Sequence, residues 1–175
     1  MTTAQDLKAA IRDVPDFPKK GIIFKDITPI LKDPELLRGT IDLLVKRYED
    51  QGIDYVVGVE ARGFILASAL AMRLGAGFIP VRKPGKLPCD THKATYDLEY
   101  GTDSIEIHQD AVRAGDRVLI ADDLLATGGT LEAAVKLIES IGGKVDTCIV
   151  AIELAFLEGR KRAPGKEIVS LLRYD

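Results

Sequence analysis

An α/β fold, with a mostly parallel sheet flanked by helices, is what this 175-residue sequence predicts. Strand-like and helix-like segments alternate over 55–81 and again over 117–152. Two successive strand–helix–strand units imply parallel strands with helices on both faces. The length suits a single domain, 1–175, with one active site.

Asp33-Pro34-Glu35 announces the first clear helix. It sets a side-chain acceptor at the N-cap, proline at the first helical position and an acid in the first turn. The pattern predicts a helix running to about Asp50. Tyr55 to Val59 reads as a buried strand. Phe64 to Leu74 follows as a helix, with Phe64, Leu66, Ala67, Leu70, Ala71 and Leu74 near helical spacing, and Ile79-Pro80-Val81 is a short strand. Arg82 to Asp110 is rich in lysine, glycine and proline, while Ser104 to His108 alternates as a strand does. The reading is a long loop plus a hairpin around Gly101, and a loop of that length in so short a chain is functional or disordered. The second unit comprises a strand at Arg117 to Ala121, a helix at Thr130 to Ile141 closed by Gly142-Gly143, and a strand at Val145 to Ile152.

Composition excludes several classes of protein. With 46% hydrophobic and 29% charged residues the chain has the balance of a globular protein, not a disordered one. A formal net charge of -3 provides no global basic field, so neither nucleic acid nor an anionic membrane surface is an expected partner. No apolar run approaches the roughly 18 residues of a membrane span, and a cytoplasmic protein is expected. Cys89 and Cys148 lie in no metal or redox motif and are expected as free thiols.

The strongest chemical signal is the run from Val118 to Thr130. An apolar strand delivers Asp122 and Asp123 at its C-terminal end, where open α/β sheets bind ligands, and Thr127-Gly128-Gly129-Thr130 then opens a helix. Glycines let backbone N–H groups turn inward, the helix N-terminus adds positive potential, and the threonine hydroxyls donate, which together make a phosphate cup. Adjacent carboxylates suit a polyol because each accepts a hydroxyl hydrogen bond. Phosphate beside a diol describes a ribose 5-phosphate.

Glu60-Ala61-Arg62-Gly63 also falls between a strand and a helix, so its amides and the Arg62 guanidinium suit a diphosphate. Lys83 and Lys86 flank Pro84-Gly85 and supply point charges, although scattered surface lysines have the same appearance. Taken alone, Phe24 reads as a core residue and Glu99 as a solvated loop acid. His92 and His108 have no partner at a suggestive spacing.

The Val118–Thr130 run resembles the phosphoribosyl-pyrophosphate motif of the type I phosphoribosyltransferases and departs from it nowhere. Four further pieces, 18–29, 58–64, 82–88 and 96–101, narrow the resemblance to the adenine branch along nearly the whole chain. The resemblance implies that Asp122 and Asp123 hold the ribose hydroxyls and that Ala126, Thr127, Gly128, Gly129 and Thr130 hold the 5-phosphate. Glu60, Ala61, Arg62, Lys83 and Lys86 would take the pyrophosphate, with a cis peptide between Glu60 and Ala61. An N-terminal hood, 1–33, would cover the base, with Phe24 and Leu124 as its sandwich and the main chains of Ile23 and Lys25 reading its edge. A flexible lid, 84–101, would carry Glu99 as a catalytic residue beside Tyr100. Mg²⁺ held mainly by pyrophosphate, ribose and water is implied, with no certain protein ligand. So is a homodimer in which Arg82 reaches the neighbouring site. Two alternatives accompany this reading: an oxopurine enzyme in which Lys25 donates to the base oxygen, and a non-catalytic ligand sensor on the same fold.

Overall fold

The computed structural model describes residues 2–97 and 101–175. Near the N-terminus lies α1 (Ala4–Ala10), opened by a capping box in which Thr3 and Asp6 each bond the other's backbone N–H. An antiparallel hairpin of β1 (Arg12–Pro15) and β2 (Ile23–Asp26) follows, then α2 (Thr28–Lys32) and α3 (Pro34–Val45). Asp33 caps α3 as the sequence predicts, its carboxylate accepting from the N–H groups of Glu35 and Leu36. The helix stops at Val45, short of Asp50, because the chain tightens there into turns that leave Tyr48 only 1% exposed.

The central unit is a five-stranded parallel sheet. In chain order come β3 (Tyr55–Val59), α4 (Gly63–Leu74), β4 (Gly77–Val81), the antiparallel hairpin β5 (Thr91–Asp97) and β6 (Thr102–His108), β7 (Arg117–Leu125), α5 (Gly129–Ser140), β8 (Lys144–Leu154) and β9 (Glu167–Tyr174). The sheet order is β4-β3-β7-β8-β9, with every neighbouring pair parallel. Both predicted strand–helix–strand units are present.

Alternating strand residues feed two cores. Val57, Val59, Val118 and Ile120 pack with α5 and the β5–β6 hairpin. Val56, Leu119 and Ala121 pack with α1 to α4. Within the segment expected as a lid loop, 91–97 is strand paired residue for residue with 102–108. Strand β7 continues through Asp122 and Asp123 to Leu125, so both acids belong to the strand itself. Cys89 is exposed and Cys148 buried, and both are free.

Candidate active site

A cavity of about 290 Å³ opens at the C-terminal edge of β3 and β7, between the turns that start α4 and α5. Its wall includes Glu60, Ala61, Arg62, Lys83, Asp122, Asp123, Leu124 and Ala126 through Thr130. Residues predicted from three separate stretches of sequence therefore meet in one place, as expected for the strand ends of an open α/β sheet.

The turn after β7 forms the anion end. Gly128 adopts φ 85°, in the left-handed region that glycine enters freely. Among the described residues, none of the N–H groups from Ala126 to Thr130 finds a protein acceptor. Free donors at the N-terminus of a twelve-residue helix form a cup for a phosphate dianion.

Asp122 and Asp123 form the floor. Asp122 accepts the Asp123 N–H at 2.9 Å, and Gly63 sits so close that an added Cβ would lie 2.7 Å from the Asp122 carboxylate. Asp123 is 5% exposed and holds the Arg62 guanidinium at 2.8 Å. Burial, reinforced by the neighbouring Asp123, pushes the Asp122 carboxyl well above the usual carboxylate range. Burial raises Asp123 as well, against the opposing pull of Arg62. Burial and the like charge of a neighbouring carboxylate thus disfavour full ionisation of the pair, and Arg62 offsets this at Asp123.

The peptide between Glu60 and Ala61 is cis, as the family resemblance implied. The Glu60 carboxylate accepts Lys86 Nζ at 2.6 Å, the Lys83 N–H at 3.0 Å and the Arg82 guanidinium at 3.3 Å. The Lys86 ammonium above all, then the Lys83 N–H and Arg82, holds this carboxyl down at about 2. Arg82 also donates to the Lys86 carbonyl at 3.0 Å.

Tyr96 and Asp103, both on the cavity wall, are contacts that the sequence reading assigned no role. Asp103 pairs with Lys83, and the Tyr96 hydroxyl donates to Asp103 at 3.4 Å while accepting from the Thr130 hydroxyl at 3.3 Å. This chain ties the β5–β6 hairpin to the phosphate cup. Facing residues of a hairpin are neighbours, and Tyr96 opposes Asp103 in register, so recognising β5 as a strand would have revealed the pair.

Of the residues expected to cover a base, Phe24 meets the site through Arg62, whose guanidinium lies 5.0 Å from the centre of the Phe24 ring. Phe17 meets Phe24 edge-on at 5.2 Å. Leu124 lines the cavity, Ile23 is exposed, and Lys25 faces elsewhere. The Lys25 ammonium pairs with Asp13 at 2.7 Å and lies 4.3 Å from the centre of the Tyr174 ring. That placement turns the Lys25 side-chain ammonium to Asp13 and Tyr174, whereas the oxopurine alternative needs it at the base. Glu99 and Tyr100 lie outside the described residues.

A family model described as phosphoribosyl transferase domain matches residues 26–171. The adenine phosphoribosyltransferase of Geotalea daltonii is 59% identical over 97% of this chain and 99% of its own length. The crystal structure of the adenine phosphoribosyltransferase from Thermoanaerobacter pseudethanolicus superimposes with a TM-score of 0.95 at 56% identity, covering 98% of this chain and 100% of that one. The Saccharomyces cerevisiae adenine phosphoribosyltransferase, solved with adenine and an imino-altritol bisphosphate, gives 0.92 at 43% identity over 97% of this chain and 98% of that one. With its domain match and this near-complete correspondence, the chain belongs to the phosphoribosyl transferase family, in the adenine phosphoribosyltransferase branch.

Proposed function

We propose that this enzyme transfers the 5-phosphoribosyl group of phosphoribosyl pyrophosphate to adenine, giving AMP and pyrophosphate, a purine-salvage reaction. The observation that carries the proposal is the single cavity in which unsatisfied amides 126–130, the Asp122–Asp123 pair and the cations Arg62 and Lys83 converge. A phosphate, a sugar diol and a pyrophosphate are each matched by one of these groups. The family relatives, including the yeast enzyme solved with adenine, support the choice of base.

A purine nitrogen would attack C1 of the ribose as the pyrophosphate leaves, with inversion at that carbon. Positive charge develops on the ribosyl ring. Asp122 and Asp123, held on a strand of the central sheet, place negative charge beside it with little reorganisation. Arg62, Lys83 and Lys86 stabilise the departing pyrophosphate. Mg²⁺ suits this site as a companion of the substrate: among the described residues no group of three or more metal-ligating side chains forms a cage, and Mg²⁺ commonly binds through one or two carboxylates plus substrate phosphates. When bound, held mainly by pyrophosphate, ribose and water, it would neutralise charge on the leaving pyrophosphate.

Water must be kept from the ribosyl centre, which gives the lid, 84–101, and its residues Glu99 and Tyr100 their part in the proposal. The hood, 1–33, would close over the base through Phe24, with adenine between Phe24 and Leu124 and the main chains of Ile23 and Lys25 at its edge. Reading adenine by main chain rather than by the Lys25 side chain accords with the ion pair that holds Lys25 on Asp13.

A homodimer is part of the same proposal, with Arg82 at the boundary between the two sites. Ile65, Met72 and Phe78, on α4 and the edge strand β4, are exposed apolar side chains that such a contact would cover. Light scattering is expected to give twice the 19.0 kDa chain mass, and a monomer would remove this part. No described helix is long and apolar enough to cross a membrane, in keeping with the proposed cytoplasmic location.

Pyrophosphate release measured with adenine, hypoxanthine, guanine, xanthine and orotate in parallel tests the base assignment. Adenine should be preferred by at least about a hundredfold in kcat/KM, because a site matched to the adenine amino group leaves buried groups unpaired when oxygen replaces it. Equal turnover of hypoxanthine would refute adenine while leaving the family assignment intact.

A further inference from the structure

Beyond β8 the chain makes two short 3₁₀ turns, Ala155–Leu157 and Gly159–Arg162, before β9. The second is pressed against the phosphate cup. A Cβ added to Gly159 would collide with the carbonyl oxygen of Ala126 and come within 3.0 Å of the Leu125 side chain. The contact is reciprocal, since a Cβ on Gly128 would collide with the Gly159 carbonyl and lie 3.1 Å from Arg162 Cβ. Gly159 does not adopt a left-handed φ, so it is glycine for space and not for backbone conformation.

Ion pairs fasten this turn on both sides. Arg160 grips Glu153, at the end of β8, with two bonds of 2.5 and 2.6 Å, and donates to the Ile168 carbonyl on β9 at 2.6 Å and to Ser170 at 3.1 Å. Glu153 is 3% exposed, and Arg160 draws its carboxyl below the ordinary range. Arg162 pairs with Glu132 in the first turn of α5 at 3.3 Å. The Glu153–Arg160 pair is too well matched to leave a free charge for substrate. Its effect must pass through the backbone it holds.

We propose that Gly159 and the Glu153–Arg160 pair, with its buried carboxylate, are positioning residues for the 5-phosphate cup, holding the 159–162 turn against Ala126 and Gly128 so that the cup is formed before substrate arrives. The inference rests on the assignment of 126–130 as that cup. It identifies three determinants of phosphate affinity that touch no substrate atom.

The test uses two probes on the full chain: ribose 5-phosphate, which engages the cup, and inorganic pyrophosphate, which engages Arg62, Lys83 and Lys86. For Gly159→Ala the Kd of ribose 5-phosphate should rise about ten- to a hundredfold while that of pyrophosphate stays within about twofold, because a displacement near 1 Å in a positioning contact is costly only for the ligand that uses it. Arg160→Lys keeps the charge but gives up the two-pronged grip. It should shift ribose 5-phosphate binding in the same direction by roughly three- to tenfold, and it carries the test if Gly159→Ala does not fold. Parallel weakening of both probes, or of neither, overturns the proposal. A Thr127→Val control separates it from the site assignment. If that change weakens ribose 5-phosphate and Gly159→Ala does not, the positioning role alone fails. If neither change affects it, the cup assignment fails too.

Discussion

Arg62→Gln is expected to lower kcat/KM for phosphoribosyl pyrophosphate by about a hundred- to a thousandfold, the usual loss when one preorganised donor is removed from a charge-stabilising site. Three functions meet in this side chain. It neutralises Asp123 at 2.8 Å, it stacks on Phe24 of the hood, and it faces the cavity where the pyrophosphate would lie. Glutamine keeps some length and polarity but carries no charge, so Asp123 loses its cation and the hood its anchor. Arg62→Lys should recover part of the loss, since charge returns without the planar fork and the stack. Steady-state kinetics with phosphoribosyl pyrophosphate varied at saturating adenine reads both effects. Activity of Arg62→Gln within threefold of wild type would assign the pyrophosphate to Lys83 and Lys86 alone.

Asp123→Asn should lower kcat by roughly ten- to a thousandfold, because shape is conserved while charge beside the forming ribosyl cation is lost. An unchanged kcat would confine Asp123 to binding or structure. Stability should move the opposite way. Burial raises the carboxyl in the folded state above its unfolded value, so at high pH the folded protein carries an unfavourable charge. That penalty is fully present above the folded pKa and disappears as pH falls below the ordinary carboxylate range. Asp123→Asn should therefore melt at or above the wild-type temperature near pH 8, and its advantage should shrink on acidification. Calorimetry across pH measures this, and a lower melting temperature at pH 8 would show that the Arg62 contact outweighs the burial cost.

The two strand–helix–strand units were legible because their apolar residues are sequence neighbours with regular spacing. The strand–turn–helix run from Val118 to Thr130 was legible for a related reason, since the strand, the acids, the glycines and the helix start are contiguous. What escaped depends on distant partners. The extension of β7 through Asp122 and Asp123 runs against the poor strand propensity of aspartate and is held by pairing with β8. Strand β9 has pairing with β8 as its defining feature, and in the predicted hairpin around Gly101 the extent of β5 is set by its pairing with β6. Helix α3 ends early because Tyr48 is drawn into the core, a demand that local helix signals do not carry. Within the site, Tyr96, Asp103 and Gly159 owe their roles to tertiary contacts with Thr130, Lys83 and Ala126.

Every cation named for the pyrophosphate already has an anion of the protein's own: Arg62 has Asp123, Lys83 has Asp103, and Lys86 has Glu60. The cavity is therefore a loaded ion exchanger. On the proposed assignment, substrate would displace carboxylates as well as water, which moderates the affinity that a bare cationic cluster would show for any polyanion and keeps like charges from straining the domain. The same exchange works in reverse at the end of turnover. As pyrophosphate departs, Glu60 and Asp103 would recapture their lysines, so the cations would not be left unpaired and product release would be eased. Charge alone would then discriminate weakly among polyanions, which leaves selectivity to the sugar and base contacts.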